Sequence, residues 1–216
     1  MIPRVELEES PDPRVPNGAT FWQPGEEELN SDEGFGYFRD VWLIYDVPRA
    51  LAEEVIKEEG RLVALIASLA RDPRDFDQIA TALEDREAQE LPDWIDGSQA
   101  YESLKLEVGP DEPSALMGLE VGVAGLVYAL ASAGMYPAAS CRSHTERSWS
   151  DRPVVFFAAS RTRAAIVSEL MQGSGCGLSV DPARPDLISV YAASIEELMA
   201  LARRIMDSRQ RLLQAS

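Results

Sequence analysis

Apolar positions along the chain follow two different rhythms. Leu51, Val55, Ile56, Leu62, Leu65, Ile66 and Leu69 recur at three- and four-residue intervals, the spacing that puts side chains on one face of a helix. A helix is therefore predicted from Pro48, which suits a first turn, to Arg71, where Asp72-Pro73 stops it; Gly60 marks a kink. A second amphipathic helix is predicted from Asp75 to about Gln89, with Phe76, Ile79, Ala80 and Leu83 on its apolar face. Val41 to Tyr45 is a short β-branched and aromatic run and predicts a strand. Residues 90–114 carry Pro92, Gly97, Gly109, Pro110 and Pro113 and predict a connector, while residues 1–36 show no sustained period and predict an irregular arm pinned by Phe21 and Trp22.

The second half alternates more sharply. Ser114 to Ala133 predicts a helix closed by Gly134, with Gly118, Gly122 and Gly125 leaving a smooth strip for close packing. Tyr136–Cys141 and Pro153–Ala159 predict strands, the latter apolar enough to be buried on both faces. A helix over Arg161–Gln172 follows, then strands at Gly177–Val180 and Leu187–Tyr191. Ser194 and Glu197 form a capping box that opens a final helix. The order α-β-β-α-β-β-α predicts an α+β fold: a four-stranded mixed sheet with packed helices, preceded by a mostly helical acidic half. If the strands around Arg161–Gln172 are parallel, that crossover should be right-handed. The expected divisions are an acidic arm at 1–36, a helical region at 37–112 and a sandwich-like domain at 113–216.

Charge sharpens this division. The 216 residues carry a formal net charge of −17. Up to Glu112 there are 28 acidic residues against 10 basic ones, and after it 9 against 10, giving −18 and +1. Such an acidic chain is not expected to bind nucleic acid directly, and it suits a basic protein partner. No apolar run reaches the roughly 18 residues of a membrane span, and the N-terminus lacks a signal-peptide pattern. Two cysteines in so long a chain make free thiols in a cytoplasmic setting the expectation.

Chemically able side chains concentrate in Ser140-Cys141-Arg142-Ser143-His144-Thr145-Glu146-Arg147, which holds the only histidine and one of the two cysteines. Three chemistries fit it. Cys141 and His144, joined by Cys176 from another strand, offer thiolate and imidazole ligands for zinc. Cys141 and His144 could instead act as a thiol nucleophile and its base, with Arg147 as the anion-holding partner. A third option is binding without turnover, in which Arg142, Arg147 and Arg152 clamp a small anion beside Ser140, Ser143 and Trp149. Alternatively, these arginines offset the acidic first half, with the arm folded back on this face. The spacing Cys141-x5-Arg147-Ser148 resembles the phosphate-binding loop of cysteine-dependent phosphatases, which implies hydrolase chemistry on Cys141; no glycine lies between the two residues, and a strand rather than a helix follows. Ser140 to His144 is also similar to a Ser-Cys-x-Gly-His stretch in uncharacterised bacterial proteins, with Ser143 at the glycine position; this likeness implies no activity.

The functional expectation from sequence is a non-catalytic interaction or accessory protein of a bacterial-type cytosol that binds a protein partner or a small anionic ligand. The alternatives are a thiol-dependent hydrolase centred on Cys141 and His144, and a small zinc-binding protein.

Overall fold

The computed structural model describes residues 1–29, 44–87, 90–97, 99–107, 116–145 and 148–215. After a short α1 (Glu26–Leu29), helix α2 (Arg49–Leu69) runs without a break across Gly60. One glycine costs a helix only about 1 kcal/mol, and α2 buries Val55, Leu62, Val63 and Ile66 in the core. Helix α3 (Pro73–Glu84) begins where Asp72 accepts a hydrogen bond from the Asp75 N–H at 2.9 Å, with proline at its first position. It ends short of the predicted Gln89, where Arg86 turns left-handed at φ 58°. Most of the predicted strand at Val41–Tyr45 lies outside the described residues.

Two expectations change in the middle of the chain. The supposed connector contains α4 (Gln99–Glu107), which buries only Leu104 and ties to α2 through the Arg61–Glu107 ion pair. One buried apolar residue in nine leaves no readable period. Conversely, the helix expected from Ser114 begins only at Ala124, as α5 (Ala124–Ser132). The turns before it place Met117, Gly118 and Gly122 at positive φ. At Gly122 an added Cβ would lie 2.5 Å from Ile195, so this turn requires glycine on both counts.

The sheet takes β1 (Tyr136–Cys141), β2 (Val154–Ala158), β3 (Cys176–Val180) and β4 (Ile188–Ala192) in the spatial order β1-β2-β4-β3. Every neighbouring pair is antiparallel, so the sheet is not mixed. Helix α6 (Arg161–Met171) does join two strands of the same direction, β2 and β3, but β4 lies between them and pairs with both. Helix α7 (Ile195–Asp207), capped by Ser194, and α8 (Arg209–Gln214) complete the described chain.

One face of the sheet, carrying Val155, Phe157, Leu178 and Val190, shares a single core with α2, α3, α5 and α7. Helices from both halves of the sequence are in that core. The opposite face is covered by the N-terminal arm: Trp22 packs on Ala138, Ala158 and Leu187, and Leu7 on Cys141, Val154 and Tyr191. Main-chain bonds tie the arm down, from Val5 N–H to Ala193 O, from Leu178 N–H to Asp12 O and from Thr20 N–H to Pro185 O. The Arg161 guanidinium stacks 4.3 Å from the Phe21 ring centre.

Helix α5 is buried along its whole length, and its N-terminal amides meet a fully buried acid from α2. Glu59 Oε1 accepts from Gly122 N–H at 3.0 Å and Gly125 N–H at 3.1 Å, whereas Oε2 has no hydrogen-bond partner. Burial pushes this carboxyl up to about 7, against the amides and the more distant charge of Arg203. A carboxyl with pKa 4.5 when unfolded and about 7 when folded holds its proton longer in the native state. Its contribution therefore favours folding at low pH, declines as pH rises between those values and is flat above them. The stability difference between wild type and Glu59→Gln should accordingly change by a few kcal/mol across that window. Denaturant unfolding of both proteins from pH 4.5 to 8 measures it; parallel curves would show that Glu59 does not titrate there.

Candidate functional site

Strand β1 ends at Cys141, and the next residue carries the most deeply buried charge of the sheet edge. Arg142 has a side chain only 2% exposed, and all three of its guanidinium nitrogens donate to α3. Nε donates to Glu84 Oε1 at 2.7 Å and Nη1 to Asp77 Oδ1. Nη2 reaches Thr81 Oγ1 at 2.7 Å and the Asp77 carbonyl at 3.3 Å. Burial opposes the charge on Arg142, but Glu84 and Asp77 outweigh it and raise its pKa. Burial likewise pushes Asp77 upward, yet Arg142 and the hydrogen bonds from Thr145 leave it below the usual carboxylate value. Glu84 ends above its ordinary value, because burial exceeds the help from Arg142.

Beside this cluster three potential metal ligands converge. Ligand atoms of Glu120, Cys141 and His144 all lie within 4.8 Å of one another. His144 Nε2 is 3.2 Å from Glu120 Oε1, while Glu120 Oε2 accepts the Arg142 N–H at 2.7 Å. The Cys141 sulfur receives the Ser143 N–H at 3.4 Å and contacts Ser148 Oγ at 3.3 Å. The hydrogen bond with Glu120 raises the pKa of His144, against burial and the charge of Arg142. Burial raises the Cys141 thiol, with Ser148 opposing. Ser143 and His144 open onto a cleft of about 650 Å³, walled by Pro3, Arg4 and Val5 of the arm and by Ser148 to Asp151.

The candidates read from the sequence divide in the folded chain. Cys141 and His144 are brought together, but Cys176 is not their neighbour. β1 and β3 are the two edges of the sheet, three strand spacings or about 14 Å apart. Cys141 aligns with Val154 and Tyr191, whereas Cys176 aligns with Ala192, so the two thiols also occupy opposite faces. Glu120 takes the place expected for Cys176; it lies far back in the sequence, inside a stretch that reads as helix. Arg147 and Glu146 lie outside the described residues.

The two described arginines of the anion clamp are engaged elsewhere. Arg142 is consumed by α3, and Arg152 pairs with Asp151 at 3.3 Å and stacks 4.6 Å from the Tyr191 ring centre. Trp149 is half exposed, with its ring centre 5.9 Å from that of Phe156, and Ser140 is buried in β1. The arm does fold back beside this loop, with Pro3, Arg4 and Val5 at the cleft and Leu7 on Cys141, while the acids that pair with Arg142 come from α3.

Two measurements follow. Burial raises both thiols, Cys176 to about 11, so in the folded, metal-free protein both should react with iodoacetamide at neutral pH more slowly than after unfolding, Cys176 by roughly 100-fold. Fast labelling of Cys141 in the folded protein would instead mark it as a nucleophile. Ser143 sits in the left-handed region at φ 67°, where a Cβ costs about 1 kcal/mol. Ser143→Gly keeps the N–H to sulfur and should leave the melting temperature level or raise it; a fall would show that the hydroxyl stabilises the loop.

Comparison of the chain with models of known protein families, with curated proteins and with solved structures finds no match.

Proposed function

We propose that this chain is a zinc protein whose ion is held by Glu120, Cys141 and His144, with one coordination position left toward the cleft. The observation that carries this is the convergence of an oxygen, a sulfur and a nitrogen ligand within 4.8 Å. Carboxylate, thiolate and imidazole together form a mixed set that suits zinc. Two ligands about 2.0–2.1 Å from a tetrahedral ion lie roughly 3.3 Å apart, and the 3.2 Å between His144 and Glu120 already has that value.

The surroundings also fit. Glu120 keeps one oxygen on a backbone amide and turns the other inward, the kind of outer contact that fixes a ligand. A backbone N–H at the sulfur favours its ionised form once a cation is present. Three protein ligands, with His144 on the wall of the cleft, resemble a catalytic zinc rather than a closed structural one, in which four protein ligands surround the ion. Such an ion would polarise a bound water or carbonyl.

This reading is preferred to the two others for physical reasons. A nucleophilic cysteine needs exposure and a lowered pKa, and Cys141 is fully buried with a raised one. An anion-binding accessory role needs free guanidinium groups, and of the clamp arginines among the described residues, Arg142 and Arg152 are both engaged.

Metal analysis of untagged protein, followed by zinc titration against a chromophoric chelator, tests the proposal. About one equivalent should bind, and Cys141→Ser or His144→Ala should weaken binding beyond the roughly 10–100-fold that loss of an outer contact costs. Wild-type protein that holds no more zinc than Cys141→Ser would refute it.

A further inference from the structure

Asp77 makes contacts on both sides of the His144 loop. Oδ1 accepts from Arg142 Nη1, while Oδ2 accepts the Thr145 N–H at 3.0 Å and the Thr145 hydroxyl. One carboxylate on α3 thus clasps residues 142 and 145, and Ser143 and His144 span the interval between them. Glu84, two turns further along α3, does the same for the other ligand loop. Its Oε1 accepts Arg142 Nε at 2.7 Å and the Val121 N–H at 2.8 Å, next to Glu120.

We infer that Asp77 is the positioning residue of this site: by clasping Arg142 and Thr145 it sets where the His144 ring stands relative to Glu120 and Cys141. The inference rests on the zinc reading for its purpose but not for its geometry. Thr145 is exposed on the loop, and Asp77 accounts for both of its hydrogen bonds named here, so removing that acceptor frees the C-terminal side of the His144 span. Arg142 stays anchored by Glu84 and Thr81, so the N-terminal side remains fixed. A carboxylate with only a stabilising role would alter melting without moving the ring.

Asp77→Asn is the informative substitution. Its carbonyl oxygen can still serve Arg142, while its NH2 group faces two donors on Thr145. His144 is the only histidine, so its ring signals in NMR spectra report on this one position without assignment. In metal-free protein, Asp77→Asn should shift and broaden those signals, and zinc affinity should fall about 10–100-fold with one equivalent still bound. Thr145→Val, which loses only the hydroxyl, should produce a smaller change in the same direction and serves where Asp77→Asn does not fold. Unchanged ring signals in the folded variant overturn the inference, whatever the zinc result. Altered ring signals in a protein whose wild type binds no zinc would refute the zinc reading and leave Asp77 in its positioning role.

Discussion

The buried guanidinium of Arg142 is the contact on which this architecture depends. It stands at the end of β1, where the sheet stops and the candidate site begins, and each of its three guanidinium nitrogens donates to α3. Burying a charge is costly unless partners satisfy it, and removing one partner from such a cluster costs about 3–5 kcal/mol. The sheet edge and α3 are therefore fixed relative to each other by a contact with few tolerable alternatives. Hydrophobic packing among α2, α5 and α7 supplies bulk stability, but it is less directional. The ion cluster gives the ligand loop an address.

Three carboxylates divide the labour around the turn that precedes α5. Glu59 holds the Gly122 and Gly125 amides, Glu84 holds Val121, and Glu120 reaches forward to the Arg142 amide. The segment from Leu116 to Val123 would otherwise continue α5 backward, as its composition suggests. Acidic side chains from two other helices capture its N–H groups, and the positive φ of Gly118 and Gly122 completes the break. This is how Glu120 comes to face His144 instead of lying on a helix surface.

Much of the α+β organisation was legible because it follows from periodicity. The strands at Tyr136–Cys141 and Val154–Ala158, the capped helix after Ser194 and the long helix ending near Asp72 all carry local signals. Strand direction was not legible, since β4 inserts between β2 and β3 through long-range pairing that no local pattern records. Cys141 and His144 stood out as rare residues three apart. Glu120 did not, being one acid among 37, and its selection depends on a turn made by contacts from Glu59 and Glu84. Its one local signal was position: an isolated acid between Gly118 and Gly122 in an otherwise apolar stretch. Cys176 misled because sequence shows that two cysteines sit at strand ends, not that the strands are opposite edges.

The charge asymmetry gains a different meaning from these contacts. A net of −18 up to Glu112 suggests an outward-facing acidic surface, yet the acids that decide the structure point inward. Glu59, Asp77 and Glu84 each leave a helix of the first half to grip backbone or guanidinium in the second. Among the described residues one permanent positive charge, Arg142, is buried beside Asp77, Glu84 and Glu120, and the burial that raises Glu84 is reinforced by the neighbouring charge of Glu120. Such a group of carboxylates exceeds its built-in cation. On the zinc reading proposed above, an ion held by Glu120, Cys141 and His144 would add positive charge beside these carboxylates, next to His144 at the cleft.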